Sequence, residues 1–174
     1  MFDLTLILGG CRSGKSRHAL ELAEQSGLQD KFFLATSQAL DSEMQERITK
    51  HQRERGPAWT TVEEPLDITG VLERRSCPSS LILLDCLTLW VSNLLMEDKD
   101  EVWIHAQLDR LEQGLQVASG PVLVVSNEVG QGIVPDNPMA RRFRDLVGWA
   151  NQRVAAKADR VVWMVAGLPT RVKG

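Results

Sequence analysis

Short apolar segments alternate with longer segments of helical periodicity along this chain. The apolar segments are rich in Val, Ile and Leu, and they cover residues 4–8, 32–35, 81–84, 122–125 and 161–165, with a weaker one at 60–63. Runs of this length are typical of β-strands that are buried on both faces of a sheet. We therefore predict a strand at each of these segments.

Amphipathic periodicity fills most of the gaps between the predicted strands. Apolar residues recur at intervals of three and four over residues 15–25, 41–54, 66–74, 87–96, 102–117 and 140–156, which predicts a helix in each range. Strands that alternate with helices favour a mainly parallel sheet with helices on both faces, the α/β class. Neither of the loops at 77–80 and 97–101 separates segments long enough to be domains, so we predict a single domain over residues 1–174.

Composition narrows the class of ligand and the compartment. The 174 residues include 20 Lys and Arg against 23 Asp and Glu, a formal net charge of −3, which argues against a general nucleic-acid binder. No apolar run approaches the ~18 residues of a membrane-spanning helix, and the start of the chain carries no signal sequence, so we expect a cytoplasmic protein. Its 3 cysteines lack metal-ligand spacing and indicate neither disulfides nor a zinc site.

The strongest chemical signal is a phosphate-binding loop between the first predicted strand and the first predicted helix. The pattern G-x-x-x-x-G-K-[ST] is matched by Gly9, Gly10, Cys11, Arg12, Ser13, Gly14, Lys15 and Ser16. Glycines let successive backbone N–H groups point at phosphate oxygens, and the following helix presents its positive end to the same anion. The sequence therefore predicts a site for ATP or GTP.

One side chain of this loop and one beyond it predict a magnesium site beside the phosphates. Lys15 is expected to reach the β- and γ-phosphates, and the Ser16 hydroxyl to bind Mg²⁺. A second, anionic ligand is expected from Asp85, which ends the apolar run at 81–84 and so lies at the carboxyl edge of the predicted sheet. The alternative for Asp85 is a turn residue or a cap of the helix that begins at residue 87.

Three classes of P-loop protein remain to be weighed: a regulatory GTPase, a kinase of small molecules or nucleotides, and a nucleotide-binding module without activity. A switch GTPase normally carries an Asn-Lys-x-Asp guanine reader after a late strand. Here the late strand at 122–125 leads into Ser-Asn-Glu-Val-Gly-Gln-Gly-Ile-Val-Pro at residues 126–135. The sequence therefore argues against a switch GTPase and leaves the other two classes open.

Four blocks of sequence are recognisable together. They are the phosphate loop with Arg17; residues 35–38 with Asp41, Glu43, Met44, Arg47, Ile48 and His51; residues 127–130 with 132–135; and residues 143–145 with Gly148, Asn151 and Gln152. In these blocks the chain resembles the bifunctional adenosylcobinamide kinase/adenosylcobinamide-phosphate guanylyltransferase family of the cobalamin pathway, nearly end to end.

The resemblance implies an activity, a fold and an assembly. ATP or GTP would phosphorylate the hydroxyl of adenosylcobinamide, and GMP would then pass from GTP to adenosylcobinamide phosphate through a guanylyl-histidine intermediate, which gives adenosylcobinamide-GDP. The fold would be a three-layer, RecA-like P-loop domain, and the assembly a homotrimer. The nucleotide would be contacted by Gly9, Gly10, Cys11, Arg12, Ser13, Gly14, Lys15, Ser16, Leu34, Ala35, Thr36, Gln52, Arg53, Glu54, Arg55, Glu63 and Asp85. Cys11 departs from the small residue, such as alanine, expected in relatives, but that position contributes mainly backbone.

His51 is the candidate nucleophile of the second reaction. On the predicted helix 41–54, the imidazole shares the inward stripe of Met44 and Ile48. Arg47 and Arg55, four residues to either side, could hold phosphates beside it and would favour its neutral form. A neutral imidazole can attack the α-phosphorus of GTP, with pyrophosphate leaving. The alternative is a core histidine that is hydrogen-bonded to backbone.

Some functions stay open on the sequence alone. The segment 127–135 has two glycines after a strand end, so it could close on substrate or form a structural turn, and Glu128 is its residue of most interest. The alternative activities are another P-loop small-molecule kinase, in which His51 is structural, and a nucleotide-binding subunit that does not turn over. We expect small-molecule partners, a nucleoside triphosphate and a corrinoid, and no nucleic acid.

Overall fold

The computed structural model describes residues 4–37 and 58–174. Within these residues the chain forms strands β1 (Leu4–Gly9), β2 (Asp30–Ala35), β3 (Trp59–Glu63), β4 (Ser80–Asp85), β5 (Val122–Asn127), β6 (Arg160–Val165) and β7 (Leu168–Lys173). The helices are α1 (Lys15–Gln25), α2 (Ile68–Arg75), α3 (Leu87–Met96), α4 (Glu101–Val117) and α5 (Pro138–Lys157). All the strands predicted from the apolar runs are present. The predicted helix 41–54 lies outside the described residues.

The strands form one sheet in the order β3-β2-β4-β5-β1-β6-β7. Every neighbouring pair is parallel except β6 and β7, which form an antiparallel hairpin. The first strand, β1, therefore lies in the interior, with β5 on one side and β6 on the other. Because the strands from β3 to β6 run in the same direction, their carboxyl ends share one edge of the sheet.

The two faces of the sheet pack against different helices. On one face, Leu6, Leu84 and Val124 belong to the cluster that contains the buried residues of α2 to α5. On the other face, Ile7 and Leu83 belong to the cluster that contains the buried alanines of α1. Helices thus cover both faces, and the predicted three-layer α/β architecture is confirmed.

Helix boundaries differ from the predicted ones where polar side chains cap the ends. The apolar periodicity predicts the start of α2 at residue 66, but the helix begins at Ile68 because the Asp67 carboxylate accepts a hydrogen bond from the Gly70 N–H. Asp100 caps α4 in the same way through the Trp103 N–H, and Asn137 caps α5 through two backbone N–H groups. The last helix consequently begins at Pro138, two residues earlier than the apolar periodicity predicted.

Strand β7 was missed by the sequence analysis. All its residues are exposed, so it has no apolar alternation, and it contains a proline, which is tolerated on an edge strand. The signal that could have found it is the two-residue turn Ala166-Gly167, in which both residues have positive φ, 51° and 83°. Such turns join antiparallel strands in tight hairpins.

None of the helices in residues 4–37 and 58–174 has the length and apolar character of a membrane-spanning segment.

Candidate active site

The backbone of the phosphate loop depends on two glycines. Gly9 ends β1 with φ 156°, and a Cβ there would lie 2.7 Å from the Met164 carbonyl oxygen of β6. Gly14 is the N-cap of α1 with φ 97°, and a Cβ there would lie 3.3 Å from the Cα of Gly167. Any larger residue would strain the loop at both places. The first and last glycines of the motif are therefore required by this fold as well as by phosphate.

Neighbouring elements hold the loop from two sides. From the β6–β7 turn, the Gly167 N–H donates to the Ser13 carbonyl oxygen at 3.0 Å. From the end of β5, the Glu128 N–H donates to the Gly9 carbonyl oxygen at 3.1 Å. These two bonds occupy carbonyl groups of the loop and none of its N–H groups, and a phosphate site needs such N–H groups to point at the anion.

Lys15 is buried beside the loop, with 8% of its surface exposed. Its ammonium donates a hydrogen bond to the Gly10 carbonyl oxygen at 2.7 Å. Loss of hydration lowers the pKa of Lys15, and the carboxylate of Asp85 opposes that shift. The ammonium is thus held at the start of the loop with its charge only partly compensated, so a bound phosphate would stabilise it.

Asp85 and Ser16 are the two predicted magnesium ligands, and both lie near Lys15 in the fold: Ser16 follows it in α1, and the Asp85 carboxylate interacts with its charge. Asp85 ends β4 at the carboxyl edge and is half-buried, and Ser16 is half-buried in the first turn of α1. Carboxylate and hydroxyl oxygens are ligands that Mg²⁺ accepts, usually together with phosphate oxygens and water. No cluster of three or more acidic, His or Cys side chains that could cage a metal exists among the described residues. The donor set fits a magnesium ion that binds together with a nucleotide.

The predicted nucleotide-contacting residues of β2, β3 and β4 form a row across the carboxyl edge. Ala35 is paired with Asp85 of β4 on one side and with Glu63 of β3 on the other. Thr36 follows Ala35, is fully buried, and bridges to the next strand: its hydroxyl donates to the Cys86 carbonyl at 2.8 Å and accepts from the Cys86 N–H at 3.0 Å. Thr36 therefore fixes the end of β2 against the end of β4, and Glu63 is exposed at the end of the row.

Cys86 itself is not a reactive group. Its side chain is buried at the start of α3, where the sulfur accepts a hydrogen bond from the Leu89 N–H at 3.4 Å. Burial and the neighbouring Asp85 carboxylate raise the pKa of the thiol to about 12. Cys11, in contrast, is exposed in the phosphate loop.

The end of β5 is held by a polar network that sequence reasoning missed. The Thr88 hydroxyl of α3 accepts a hydrogen bond from the Asn127 N–H at 2.7 Å and lies 3.1 Å from the Ser126 hydroxyl. The Asn151 amide of α5 donates to the Asn127 carbonyl oxygen at 3.2 Å. Thr88, Ser126 and Asn151 are all buried. Thr88 and Asn151 are polar residues at inward helical positions, and Ser126 is a polar residue near the end of a buried strand.

The Glu128 side chain is hydrogen-bonded to the backbone of its own loop. Its carboxylate accepts a hydrogen bond from the Gly130 N–H at 3.1 Å, and the Gly130 carbonyl accepts one from the Arg144 guanidinium of α5 at 2.7 Å. These contacts support the structural alternative for the start of the segment 127–135. Ile133 and Val134, farther along the segment, are exposed.

Five of the predicted catalytic and nucleotide-contacting residues lie outside the described part of the chain. They are His51, Gln52, Arg53, Glu54 and Arg55. The structure brings together all the other predicted positions, from the phosphate loop through Leu34 to Thr36, Glu63 and Asp85, at one edge of the sheet.

Comparison with known proteins agrees with this geometry. A family model described as cobinamide kinase / cobinamide phosphate guanyltransferase matches residues 5–172. The chain belongs to this family. The match spans the phosphate loop, the carboxyl edge and the β6–β7 hairpin, so the family covers the whole site. The predicted enzyme class, a transferase of cobalamin biosynthesis, is confirmed.

Two bacterial relatives are similar to this chain over nearly their whole length. The bifunctional adenosylcobalamin biosynthesis protein CobP of Pseudomonas aeruginosa is 44% identical over 169 residues, which cover 97% of this chain and 96% of the relative. The corresponding protein CobU of Escherichia coli is 39% identical over 182 residues, which cover 98% of this chain and 99% of the relative.

Solved structures with the same fold are more distant in sequence. The ATPase EscN of the enteropathogenic Escherichia coli type III secretion system superposes with a TM-score of 0.59 at 11% identity, over 95% of this chain and 43% of that one. The flagellar accessory protein FlaH of Methanocaldococcus jannaschii gives a TM-score of 0.53 at 14% identity, over 98% of this chain and 78% of that one. These likenesses support the P-loop fold alone.

Proposed function

We propose that the protein phosphorylates adenosylcobinamide with ATP or GTP and then transfers GMP from GTP to the phosphorylated corrinoid, giving adenosylcobinamide-GDP. The observation that carries this proposal is the environment of Lys15 at the carboxyl edge of the sheet: its buried ammonium contacts the phosphate loop and interacts with the carboxylate of Asp85. The family match over residues 5–172 supports the same proposal. One triphosphate site then serves both reactions.

The nucleotide is proposed to lie along the row of strand ends. Its phosphates are contacted by the N–H groups of residues 9–16, and its remaining part extends over Asp85, residues 34–36 and Glu63. Support comes from the strand register, which aligns Asp85, Ala35 and Glu63 at one edge. Residues 52–55 complete the set by resemblance to the family.

In the proposed kinase step, the corrinoid hydroxyl attacks the γ-phosphorus. A new P–O bond forms to the corrinoid, the bond between the γ-phosphorus and the β,γ-bridging oxygen breaks, a nucleoside diphosphate leaves, and the hydroxyl proton passes to solvent. Lys15 compensates the negative charge that grows on the β- and γ-phosphate oxygens, in a site where the low exposure of its ammonium strengthens the interaction. No protein nucleophile is needed for this step.

In the proposed guanylyl step, the neutral imidazole of His51 attacks the α-phosphorus of GTP. A P–N bond forms, the bond between the α-phosphorus and the α,β-bridging oxygen breaks, and pyrophosphate leaves. A phosphate oxygen of the phosphorylated corrinoid then attacks the same phosphorus, the P–N bond breaks, and His51 is regenerated. The alternative is a simple kinase in which His51 is structural.

Ser16 and Asp85 would hold the Mg²⁺ ion that accompanies the nucleotide. The ion, when bound, would neutralise phosphate charge and orient the phosphate chain. Ser16 lies in the first turn of α1, directly after the loop, and Asp85 ends β4 at the carboxyl edge, so the two ligands come from different elements.

The test of this proposal uses GTP labelled at the α-phosphate. We expect the wild-type protein to acquire covalent label that is lost in acid and retained in base, as for a phosphoramidate. His51→Ala is expected to abolish the label and guanylyl transfer while it keeps most phosphorylation of the corrinoid hydroxyl, because the two reactions attack different phosphorus atoms.

A second histidine supplies the matched control. His105 of α4 packs against the Trp149 ring, 5.2 Å between centroids, and takes no part in the site. His105→Ala is therefore expected to label like the wild type. Covalent label that persists in His51→Ala, or an acid-stable linkage in the wild type, would refute the nucleophile and favour the simple-kinase alternative.

Three further features belong to the proposal. A single domain over residues 1–174, a homotrimer and a cytoplasmic location are what the sequence and the family resemblance imply. Mass measurement in solution tests the trimer, and limited proteolysis tests the single domain.

A further inference from the structure

Asn127 lies between the two halves of the phosphate site. It is the last residue of β5, the strand that separates the phosphate-loop strand β1 from the Asp85 strand β4. In the register of the sheet, Asn127 is paired with Gly9 of β1, and Asp85 is paired with Val125, two residues before Asn127. The Asn127 position is thus adjacent both to the first residue of the loop and to the end of β4.

The face of the sheet on which Asn127 stands follows from strand alternation. Leu123 and Val125 of β5 pack in the cluster of α1, whereas Val122 and Val124 pack in the cluster of the other helices. Because successive side chains of a strand alternate in direction, Asn127 shares the face of Leu123 and Val125. By the same alternation, Asp85 shares the face of Leu81 and Leu83, which is also that of α1. Asn127 and Asp85 therefore stand on the face that carries the phosphate-loop helix.

The backbone of Asn127 is fixed from the opposite face. Thr88 accepts its N–H at 2.7 Å, and the buried amide of Asn151 donates to its carbonyl at 3.2 Å. Among residues 4–37 and 58–174, Asn127 makes its hydrogen bonds through these backbone groups. Two helices thus hold this residue in place while its carboxamide remains available for a ligand.

The position of Lys15 identifies the part of the ligand that Asn127 faces. The Lys15 ammonium lies 2.7 Å from the Gly10 carbonyl, one residue after the partner of Asn127 in the sheet. In phosphate loops, this lysine reaches the β- and γ-phosphates. The terminal phosphates are therefore expected at the Gly9–Gly10 end of the loop, next to Asn127.

We propose that the carboxamide of Asn127 donates a hydrogen bond to the terminal phosphoryl group of the bound triphosphate. This deepens the proposed function and rests on its assignment of the loop to a nucleoside triphosphate. In phosphoryl transfer, the donor stabilises charge on the γ-phosphoryl group as the bond to the bridging oxygen breaks. In guanylyl transfer, the same donor contacts the pyrophosphate that leaves.

The first test compares the affinities of Asn127→Ala for GTP and for GDP, measured with Mg²⁺ and without corrinoid. A hydrogen bond to a charged group is lost only with the triphosphate, so we expect GTP to bind about tenfold more weakly or worse. GDP affinity is expected to stay within about twofold, since the carboxamide does not reach the β-phosphate in this proposal. Gln113→Ala, an exposed amide on α4, is the matched control and should change neither affinity.

A second variant keeps the shape and reverses the polarity. Asn127→Asp replaces the donor with a carboxylate, which repels the γ-phosphate, so the loss of GTP affinity should exceed that of Asn127→Ala. The rate of corrinoid phosphorylation should fall about a hundredfold in Asn127→Ala, as for removal of one transition-state donor, while the KM for corrinoid is unchanged.

The possible outcomes separate this inference from the proposed function. Equal losses of GTP and GDP affinity, or an unchanged ratio of the two in both variants, would overturn the role of Asn127. Failure of the wild-type protein to phosphorylate the corrinoid would refute the proposed function instead. The nucleotide-affinity comparison would remain interpretable in that case because it contains no corrinoid.

Discussion

A lysine is buried at the amino edge of the sheet, where the strands begin, and another at the carboxyl edge, where they end. The charges of these two lysines are compensated in different ways. At the amino edge, Lys31 of β2 is 6% exposed, and its ammonium lies 2.6 Å from the Glu24 carboxylate and 5.9 Å from the centre of the Trp59 ring. At the carboxyl edge, Lys15 is 8% exposed and donates to a backbone carbonyl, with Asp85 as a charged neighbour. The first ammonium is paired with a carboxylate of the fold at hydrogen-bond distance, whereas the second is the one that we propose to contact the phosphates of a bound nucleotide.

Burial of an ammonium costs free energy unless hydrogen bonds and opposite charge compensate for lost hydration. At the amino edge, Glu24 provides this compensation, and the hydrogen bond from Lys31 lowers the pKa of the Glu24 carboxyl. At the carboxyl edge, burial lowers the pKa of Lys15 despite Asp85. A phosphate bound as proposed would recover the uncompensated part of the cost at Lys15, and this would give a structural criterion for separating a functional lysine from a structural one.

The largest effect is expected from Lys15→Met. Loss of one charged contact to the phosphates typically reduces transfer about a hundredfold or more, and both reactions are expected to suffer because they share one loop. The measurement is corrinoid phosphorylation and α-phosphate labelling in parallel. Near-normal guanylyl transfer without kinase activity would require separate nucleotide sites and would contradict the account.

Stability gives the control for this variant. Since the pKa of Lys15 is below its usual value of 10.5 in the folded protein, the unfolded chain binds the proton more tightly. The charged lysine therefore disfavours folding at neutral pH, and this cost fades as pH rises towards the usual value. Ligand-free Lys15→Met should thus be at least as stable as the wild type at pH 7, with an advantage that shrinks at alkaline pH.

The sequence predicted those parts of the site that depend on local pattern. The phosphate loop has its own motif, and Asp85 ends a buried run, so both could be found without knowing which strands are neighbours. The network of Thr88, Ser126 and Asn151 could not be found, because it forms only when α3 and α5 pack across the end of β5. The sequence does not show which residue a polar side chain at an inward position will bond to.

The distinction between local pattern and tertiary contacts also explains the errors in the predicted strands. The predicted second strand began at residue 32, yet β2 begins at Asp30, because Glu24 makes it possible to bury Lys31 in the sheet. Strand β7 has exposed residues on both faces and so lacks the apolar alternation by which strands are found. The role of His51 stays a prediction.

Cysteine reactivity offers a smaller effect that compares the same two edges. Cys11 is exposed in the phosphate loop, so bound Mg²⁺-GTP should slow its alkylation, by about tenfold at a nucleotide concentration ten times the dissociation constant. Cys77 lies in the loop before β4 at the amino edge, and a hydrogen bond with Ser79 lowers its pKa. It is the internal control and should react equally with and without nucleotide. Equal alkylation rates of Cys11 with and without nucleotide would show that Cys11 does not lie at the phosphate site.

The smallest effect is expected from Lys31→Met, which removes the ammonium and keeps most of the apolar stem. The variant should lose about 1–2 kcal/mol of unfolding free energy at pH 7, less than for a fully buried pair because the Glu24 side chain is 59% exposed. Nucleotide affinity should be unchanged, in contrast to Lys15→Met.

The pKa of Glu24 is below its usual value of 4.5, so the stability that the pair provides is present above that value and is lost as pH falls through the lowered pKa. Denaturant unfolding of wild type and Lys31→Met should therefore differ at pH 7 and converge in acid, and a difference that persists undiminished at pH values well below 4.5 would assign the effect to packing against Trp59 instead of to the Glu24 charge.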